Sequence, residues 1–250
     1  MIRREIKNGW IIITQKDHSI LSGDIMNHWG NSSFSPPKPK DEVLFAVSEH
    51  DNGWAEWEEN PQINPLNKYP KNFLEMNYKD QADIWKKSYL RYSKQYPYAS
   101  SLIALHFDKF NSSVLKRNTD ALLLKAEIKE FVLENLKLTS TEQKSLSEEI
   151  INNLKFVQIG DIISLALCHG WRSTQIDEVP YSLNGSNKSI MLKSQDGFNY
   201  RIYPFPFSKI PITVSIQGKI INKKTFKNNH EFLEIFNKSE KTNLKFTINN

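Results

Sequence analysis

At 250 residues the chain can form one large domain, or a main domain with a smaller appendage, and bury its core without staples. Its single cysteine, Cys168, excludes an internal disulfide framework and suits a reducing compartment. Lys and Arg number 33 against 28 Asp and Glu, a net charge of +5, but the cations are scattered; this mildly favours anionic ligands and is no nucleic-acid footprint.

The start, Met1-Ile2-Arg3-Arg4-Glu5, is charged, and Trp10-Ile11-Ile12-Ile13 is too short for a leader or a membrane span, so a soluble cytoplasmic protein is expected. Residues 9 to 14 read as a short strand rich in β-branched residues, followed by a helix from about Gln15 to Trp29. His18 falls in line with Ser22, Ile25 and Trp29, whereas His28 points roughly 80° away. A lone histidine on an apolar face is more often a satisfied core residue than a ligand.

Gly30 and Asn31-Ser32-Ser33 stop this helix, residues 36 to 39 form an extended connection, and Asp41 and Glu42 suit the first turn of the next one. The run Val43 to Val47 then puts Val43, Val47, His50 and Trp54 on one helical stripe, with Leu44 and Asp51 beside it. Neighbours on a helix point about 100° apart, so His50 and Asp51 can both face one cation lying against it. A buried carboxylate without a partner is costly, and a metal would remove the penalty. The same pair serves equally well as a buried hydrogen bond that only stabilises packing.

Residues 60 to 77, broken by Pro61, Pro65 and Pro70, read as an ordered surface loop able to act as a lid. A helix over 80 to 96 buries Ile84, Trp85 and Tyr89, and Pro97 opens another whose inward face is Ala99, Leu102, Ile103 and His106. A third, 120 to 138, is amphipathic with a solvated charged face. Ser140 with Gln143, or Thr139 with Glu142, offers a capping box for the last long helix, which extends to Gly170. Its stripe Ile150, Leu154, Val157, Asp161, Leu165, Cys168 carries a carboxylate where a leucine is expected. His169 is assigned to the helix C-terminus, where it can meet free carbonyls, and not to a site.

Beyond a linker at 177 to 180 the pattern alternates. Residues 189 to 195 and 198 to 203 flank the hairpin signal Asp196-Gly197; Ile212, Val214, Ile216 and Leu244, Phe246, Ile248 alternate around a short helix at 230 to 237. The expected organisation is a helical domain with a short N-terminal strand, 1 to 176, and a small antiparallel α+β module, 177 to 250, packed on it.

Four helices thus offer His18, the pair His50-Asp51, His106 and Asp161 to one core. That order resembles the HD-domain superfamily over about residues 15 to 170. The resemblance implies a mainly α, HD-domain-like helical bundle that binds divalent metal and often hydrolyses phosphate esters. Carried onto this chain, it makes His18, His50, Asp51 and Asp161 ligands of one ion (Mn, Fe, Zn, Co or Mg). His106 would serve a second ion, with Asp51 bridging the two as the catalytic carboxylate. Many two-metal members have further histidines before the final Asp; here only His106 is available, which weighs against the second ion.

More closely, Gly9-Trp10, Ile13 to His18, Glu49 to Trp54, Phe73 to Met76, Leu105-His106 and Tyr203 to Phe207 resemble a bacterial family known as domain of unknown function 3891. That family brings no established reaction. The first functional expectation is a metal-dependent phosphohydrolase acting on a small anionic phosphate ester, with Lys16 and Arg172 near the relevant helix ends. A di-iron oxygenase on the same fold, or a non-catalytic metal-stabilised binding module, would use the same residues. Neither nucleic acid nor membrane is an expected partner, and the sequence does not specify an oligomeric state.

Overall fold

The charges at the start of the chain do not keep it out of a strand. In the computed structural model, which describes residues 1–112, 119–137, 147–180, 182–183 and 189–250, β1 (Ile2–Ile6) and β2 (Gly9–Ile13) form an antiparallel hairpin in which Ile2 faces Ile13. Alternation turns Arg4 inward with Ile2. Its guanidinium donates to the Leu167 and Gly197 carbonyl oxygens, both at 2.7 Å, and lies over the Phe198 ring. A buried cation so satisfied costs far less than a bare one.

β2 pairs antiparallel with β6 (Ile212–Ile221), and β6 with β7 (Lys241–Asn249). β7 runs parallel to β5 (Asn199–Tyr203), which pairs with β4 (Ile190–Ser194), and β4 with β3 (Ser173–Ile176). The order across this sheet is β1-β2-β6-β7-β5-β4-β3. The molecule is 49% helical and 21% strand, and among the described residues seven strands form a curled mixed half-barrel. This overturns the expectation of a mainly α, HD-domain-like bundle carrying a small antiparallel module. The sheet takes two strands from the start of the chain, and one of its pairings is parallel. Residues more than 200 apart in sequence lie in register, as Trp10 does with Ile221. Local periodicity cannot reveal such pairing.

Both faces of β2 are covered. Trp10 and Ile12 pack with Phe226, Phe232 and Phe236 beneath α8 (Asn229–Lys238), while Ile11 and Ile13 belong to the main core. That core is shared with α1 (Gln15–Asn27), α2 (Lys40–Glu49), α5 (Pro97–Ser112) and α7 (Glu148–His169), which pack on one another. The short α3 (Ala55–Glu59), with α4 (Tyr78–Leu90) and α6 (Thr119–Leu136), completes the helical layer.

α7 is capped by Ser147, whose hydroxyl accepts from the Ile150 N–H. The capping boxes expected at 139 to 143 lie outside the described residues. By length and composition α7 could cross a membrane, but 61% of its most apolar window is buried inside the protein. At Gly160 an added Cβ would lie 2.8 Å from Val47 Cγ1 and 2.9 Å from Met26 Cγ. The bare backbone there lets α7 approach α1 and α2 closely, which brings the neighbouring Asp161 to the histidines.

Candidate metal centre

His18 stands one turn into α1, whose start is fixed at two points. Thr14 accepts from the Asp17 N–H, and the Glu58 carboxylate of α3 accepts from the Gln15 N–H at 2.7 Å. The Ser164 hydroxyl donates to the His18 carbonyl oxygen at 2.9 Å, so its proton is committed. At 2.7 Å from His18 Nδ1 it must accept, which puts the ring proton on Nδ1. His18 Nε2 then aims a lone pair at Asp161 Oδ1, 3.0 Å away, and at Asp51 Oδ2, 3.8 Å away.

His50 is fixed in the same way. Its Nδ1–H donates to the Val47 carbonyl at 2.8 Å, leaving a buried Nε2 with no hydrogen-bond partner. That nitrogen lies 3.7 Å from Asp51 Oδ2 and 3.6 Å from Asp161 Oδ1.

His50 and Asp51 are not on one continuous helix as expected. α2 ends at Glu49, His50 caps it, and Asp51 (φ −106°, ψ 18°) leads into a 3₁₀ turn at Asn52–Trp54. The Asn52 amide ends the helix by donating to the Glu49 carbonyl at 2.6 Å and to the Ser88 carbonyl of α4 at 3.0 Å. The Gly53 N–H donates to Ser88 Oγ at 3.0 Å. Trp54 is buried beyond this turn against Met76 and Ile84.

From α5, His106 Nε2 approaches Asp161 Oδ2 at 3.6 Å, and its Nδ1 is buried without a partner. Asp161 is therefore the carboxylate facing both groups, His18 and His50 through Oδ1 and His106 through Oδ2. Asp51 faces His18, His50 and the Gln15 amide, which donates to its Oδ2 at 3.0 Å.

These residues fit a divalent cation. The sets His18-His50-Asp51 and His50-His106-Asp161 each bring three ligand atoms within 4.8 Å of one another, and all are buried. Ligands about 2.1 Å from an ion sit about 3.0 to 3.4 Å apart in octahedral or tetrahedral arrangements. The carboxylate–imidazole spacings of 3.0 to 3.8 Å match closely enough that small side-chain rotations close the shell.

Charge points the same way. Burial would lower His50, but Asp51 and Asp161 outweigh it and raise it to about 9. Burial pushes Asp51 up, against the pull of His50 and His18; burial would raise Asp161 too, but the facing His18 and His50 rings outweigh it and hold that carboxyl below the usual carboxylate range. Burial drives His106 down to about 3, so it stays neutral. Two buried carboxylates thus face one histidine with a raised pKa, and a cation could supply further positive charge.

Two residues that hold the ligands and one that borders the cleft are not singled out by the sequence. Gln15 and Ser164 each lie one turn from a ligand on the same helix, a spacing that could have singled them out. His169, assigned to the helix end, instead stacks on Trp171 at 5.3 Å and leaves its Nε2 buried without a partner beside the cleft. The α7 carbonyls meet Arg4 and the Trp171 N–H.

The cleft measures about 640 Å³ and has His50, Asp51, His106 and Asp161 on its floor. Its walls are mainly aromatic and aliphatic. The segment expected as a lid supplies Phe73 and Leu74 through a 3₁₀ turn capped by Asn72 and Glu75. Lys109 lines the cleft and donates to Gln158 Oε1 at 3.1 Å; Lys16 and Arg172 are not among the lining residues.

Because Ser164 sets the His18 tautomer, Ser164→Ala should weaken Zn²⁺ or Mn²⁺ binding about 10- to 100-fold while the protein stays folded. Calorimetric titration measures this, and wild-type affinity in the variant would remove Ser164 from the site.

The mixed fold and the buried histidine–carboxylate clusters define a protein of helices and a mixed sheet with residues able to hold a metal ion. A family model matches residues 1–223, and the chain belongs to that family, described as Protein of unknown function (DUF3891). No curated protein and no solved structure matches the chain. All five ligand candidates lie within the matched residues.

Proposed function

We propose that the chain is a divalent-metal-dependent phosphohydrolase acting on a small phosphate ester. The observation that carries this reading is the convergence of His18, His50, Asp51 and Asp161, their imidazole and carboxylate groups 3.0 to 3.8 Å apart, with His50, Asp51 and Asp161 lining an open cleft. The order of these residues along the chain, which resembles the HD-domain superfamily, supports it further.

His18, His50, Asp51 and Asp161 would hold the cation, and the mixed nitrogen and oxygen set suits Mn, Fe, Zn or Co, with Mg also compatible. When bound, such an ion supplies Lewis-acid polarisation of the ester and a water activated for attack. The protein's own part is positional. Ser164 and the Val47 carbonyl fix the two rings, Gln15 orients Asp51, and Lys109 offers a positive charge to the anionic substrate. His106 stands ready as a neutral ligand on the far side of Asp161. Localisation in the cytoplasm and the absence of nucleic-acid or membrane partners belong to the same proposal.

The test is elemental analysis of protein grown with Mn, Fe and Zn and purified without chelator, followed by assay on a panel of phosphoesters. A stoichiometric metal with phosphoester turnover supports the reading; protein free of metal after that growth sinks it. The apolar walls and His106 favour a second reading, a di-iron oxygenase, which iron content and a visible absorption band would separate from the first. A chelator-sensitive melting temperature with no turnover would indicate a metal-stabilised binding module.

A further inference from the structure

We infer that the cleft selects phosphate esters whose leaving group is an apolar ring or chain, and not a nucleobase; the inference rests on the phosphohydrolase reading and specifies its substrate class. The first observation is the wall. Trp54, Phe73, Trp85 and Leu165 surround the space above the ligands. Such a surface gains from contact with apolar groups and offers little to polar ones.

A second observation is the mouth. Leu74 is 72% exposed, Phe110 45% and Trp171 41%, and all three line the same cleft. Large apolar side chains gathered at one opening mark a surface that gains by being covered. Two of them are held in place: Trp171 stacks on His169 with an interplanar angle of 6°, and Phe110 stacks on Trp85 at 27°. They form a prearranged slot for a flat or extended apolar body.

The third observation concerns the polar groups among the walls: Gln15 Oε1 and His169 Nε2 are buried without a partner, but three other side chains are engaged within the protein. The Tyr78 hydroxyl donates to Asn111 Oδ1 at 2.6 Å, the Gln81 amide to the Phe73 carbonyl at 3.0 Å, and one of the three Lys109 N–H donors to Gln158. Reading a nucleobase edge needs donors and acceptors in reserve, because an unpaired polar edge in an apolar wall is penalised.

Lys109 lies one turn beyond His106 on α5, and Gln158 one turn before Asp161 on α7. Their joined side chains thus place one positive charge about 5 Å along the helices from the ligand positions. The ester is therefore expected to be bound phosphate down, against Lys109 and the floor, with its apolar group toward the mouth.

The test uses the metal-loaded full chain and three probes: 1-naphthyl phosphate, adenosine monophosphate and inorganic phosphate. Binding is read from tryptophan fluorescence and calorimetry. Naphthyl phosphate should bind about tenfold or more tighter than either of the others, as expected for burying a bicyclic ring. Trp171→Ala and Phe110→Ser, both at partly exposed positions, should each weaken naphthyl phosphate about fivefold or more at unchanged melting temperature. Adenosine monophosphate binding as tightly as naphthyl phosphate, or both variants binding it like wild type, overturns the inference and leaves the metal centre standing. Loss of the parent reading would be seen separately, as protein that takes up no metal.

Discussion

Asp161→Leu should strip the protein of metal and leave a folded chain whose melting temperature no longer responds to chelator. Asp161 Oδ1 is the nearest carboxylate oxygen to His18 and also faces His50, while Oδ2 faces His106, so the substitution removes the carboxylate that faces all three histidines. Metal affinity should fall by a factor of about 1,000 or more, since loss of a direct ligand exceeds the 10- to 100-fold effect of an outer partner. Asp51→Ala should abolish binding likewise. The leucine variant is the sharper comparison, because a well-packed apolar residue in place of a purely structural buried ion pair is neutral or stabilising. Elemental analysis of both variants, with melts in chelator and in Mn²⁺ or Zn²⁺, decides the matter. Wild-type metal content in Asp161→Leu would return these residues to a structural hydrogen-bond network.

The same electrostatics fix a pH dependence for the metal-free protein. His50 is raised from 6.5 to about 9, so its contribution to stability is complete below 6.5 and is lost as pH rises through about 9. A metal must displace that proton, so binding should tighten over the same interval. Titrations at several pH values check the sign.

The second large effect is expected at Gly53. A Cβ there would lie 2.2 Å from the Ile84 carbonyl oxygen, 2.6 Å from Ser88 Oγ and 2.7 Å from the Ser88 nitrogen. Two of those atoms are backbone and cannot rotate away. Gly53 is not among the positive-φ glycines, so the penalty comes from contact and not from backbone preference. In Gly53→Ala the turn must lift off α4, breaking its hydrogen bonds to Ser88 and displacing the adjoining His50 and Asp51. A loss of about 2 to 4 kcal/mol is expected, with weakened metal binding. Urea unfolding measures the first and calorimetry the second; a loss below about 0.5 kcal/mol would mean the turn is not wedged against α4.

The helices were legible because each has an apolar stripe, and Asp161 stood out as a carboxylate interrupting one. β1 was hidden because its inward residue is an arginine, satisfied by carbonyl groups 163 and 193 positions away. β3, Ser173–Ile176, is short and largely polar, as an edge strand can be. The parallel pairing of β5 with β7 leaves no local mark at all. At the site, inward histidines and aspartates could be read from spacing, but the end of α2 before His50 depends on Asn52 and Gly53 finding Ser88 in another helix. His169 does end α7 as its position suggests, while carbonyls of that last turn are met by Arg4 and the Trp171 N–H.

The strand furthest along the chain sits in the middle of the sheet. β7 joins β6 on one side to β5 on the other, so without it the seven strands fall into two groups, β1-β2-β6 and β5-β4-β3. During synthesis, all five candidate ligands and the other six described strands therefore leave the ribosome before the segment that unites them. Until residues 241 to 249 arrive, β6 and β5 each present an unpaired edge, the kind of surface that captures strands from other chains. Translation that stalls just short of β7 should consequently release aggregates, even though the entire set of metal-binding side chains has already been made.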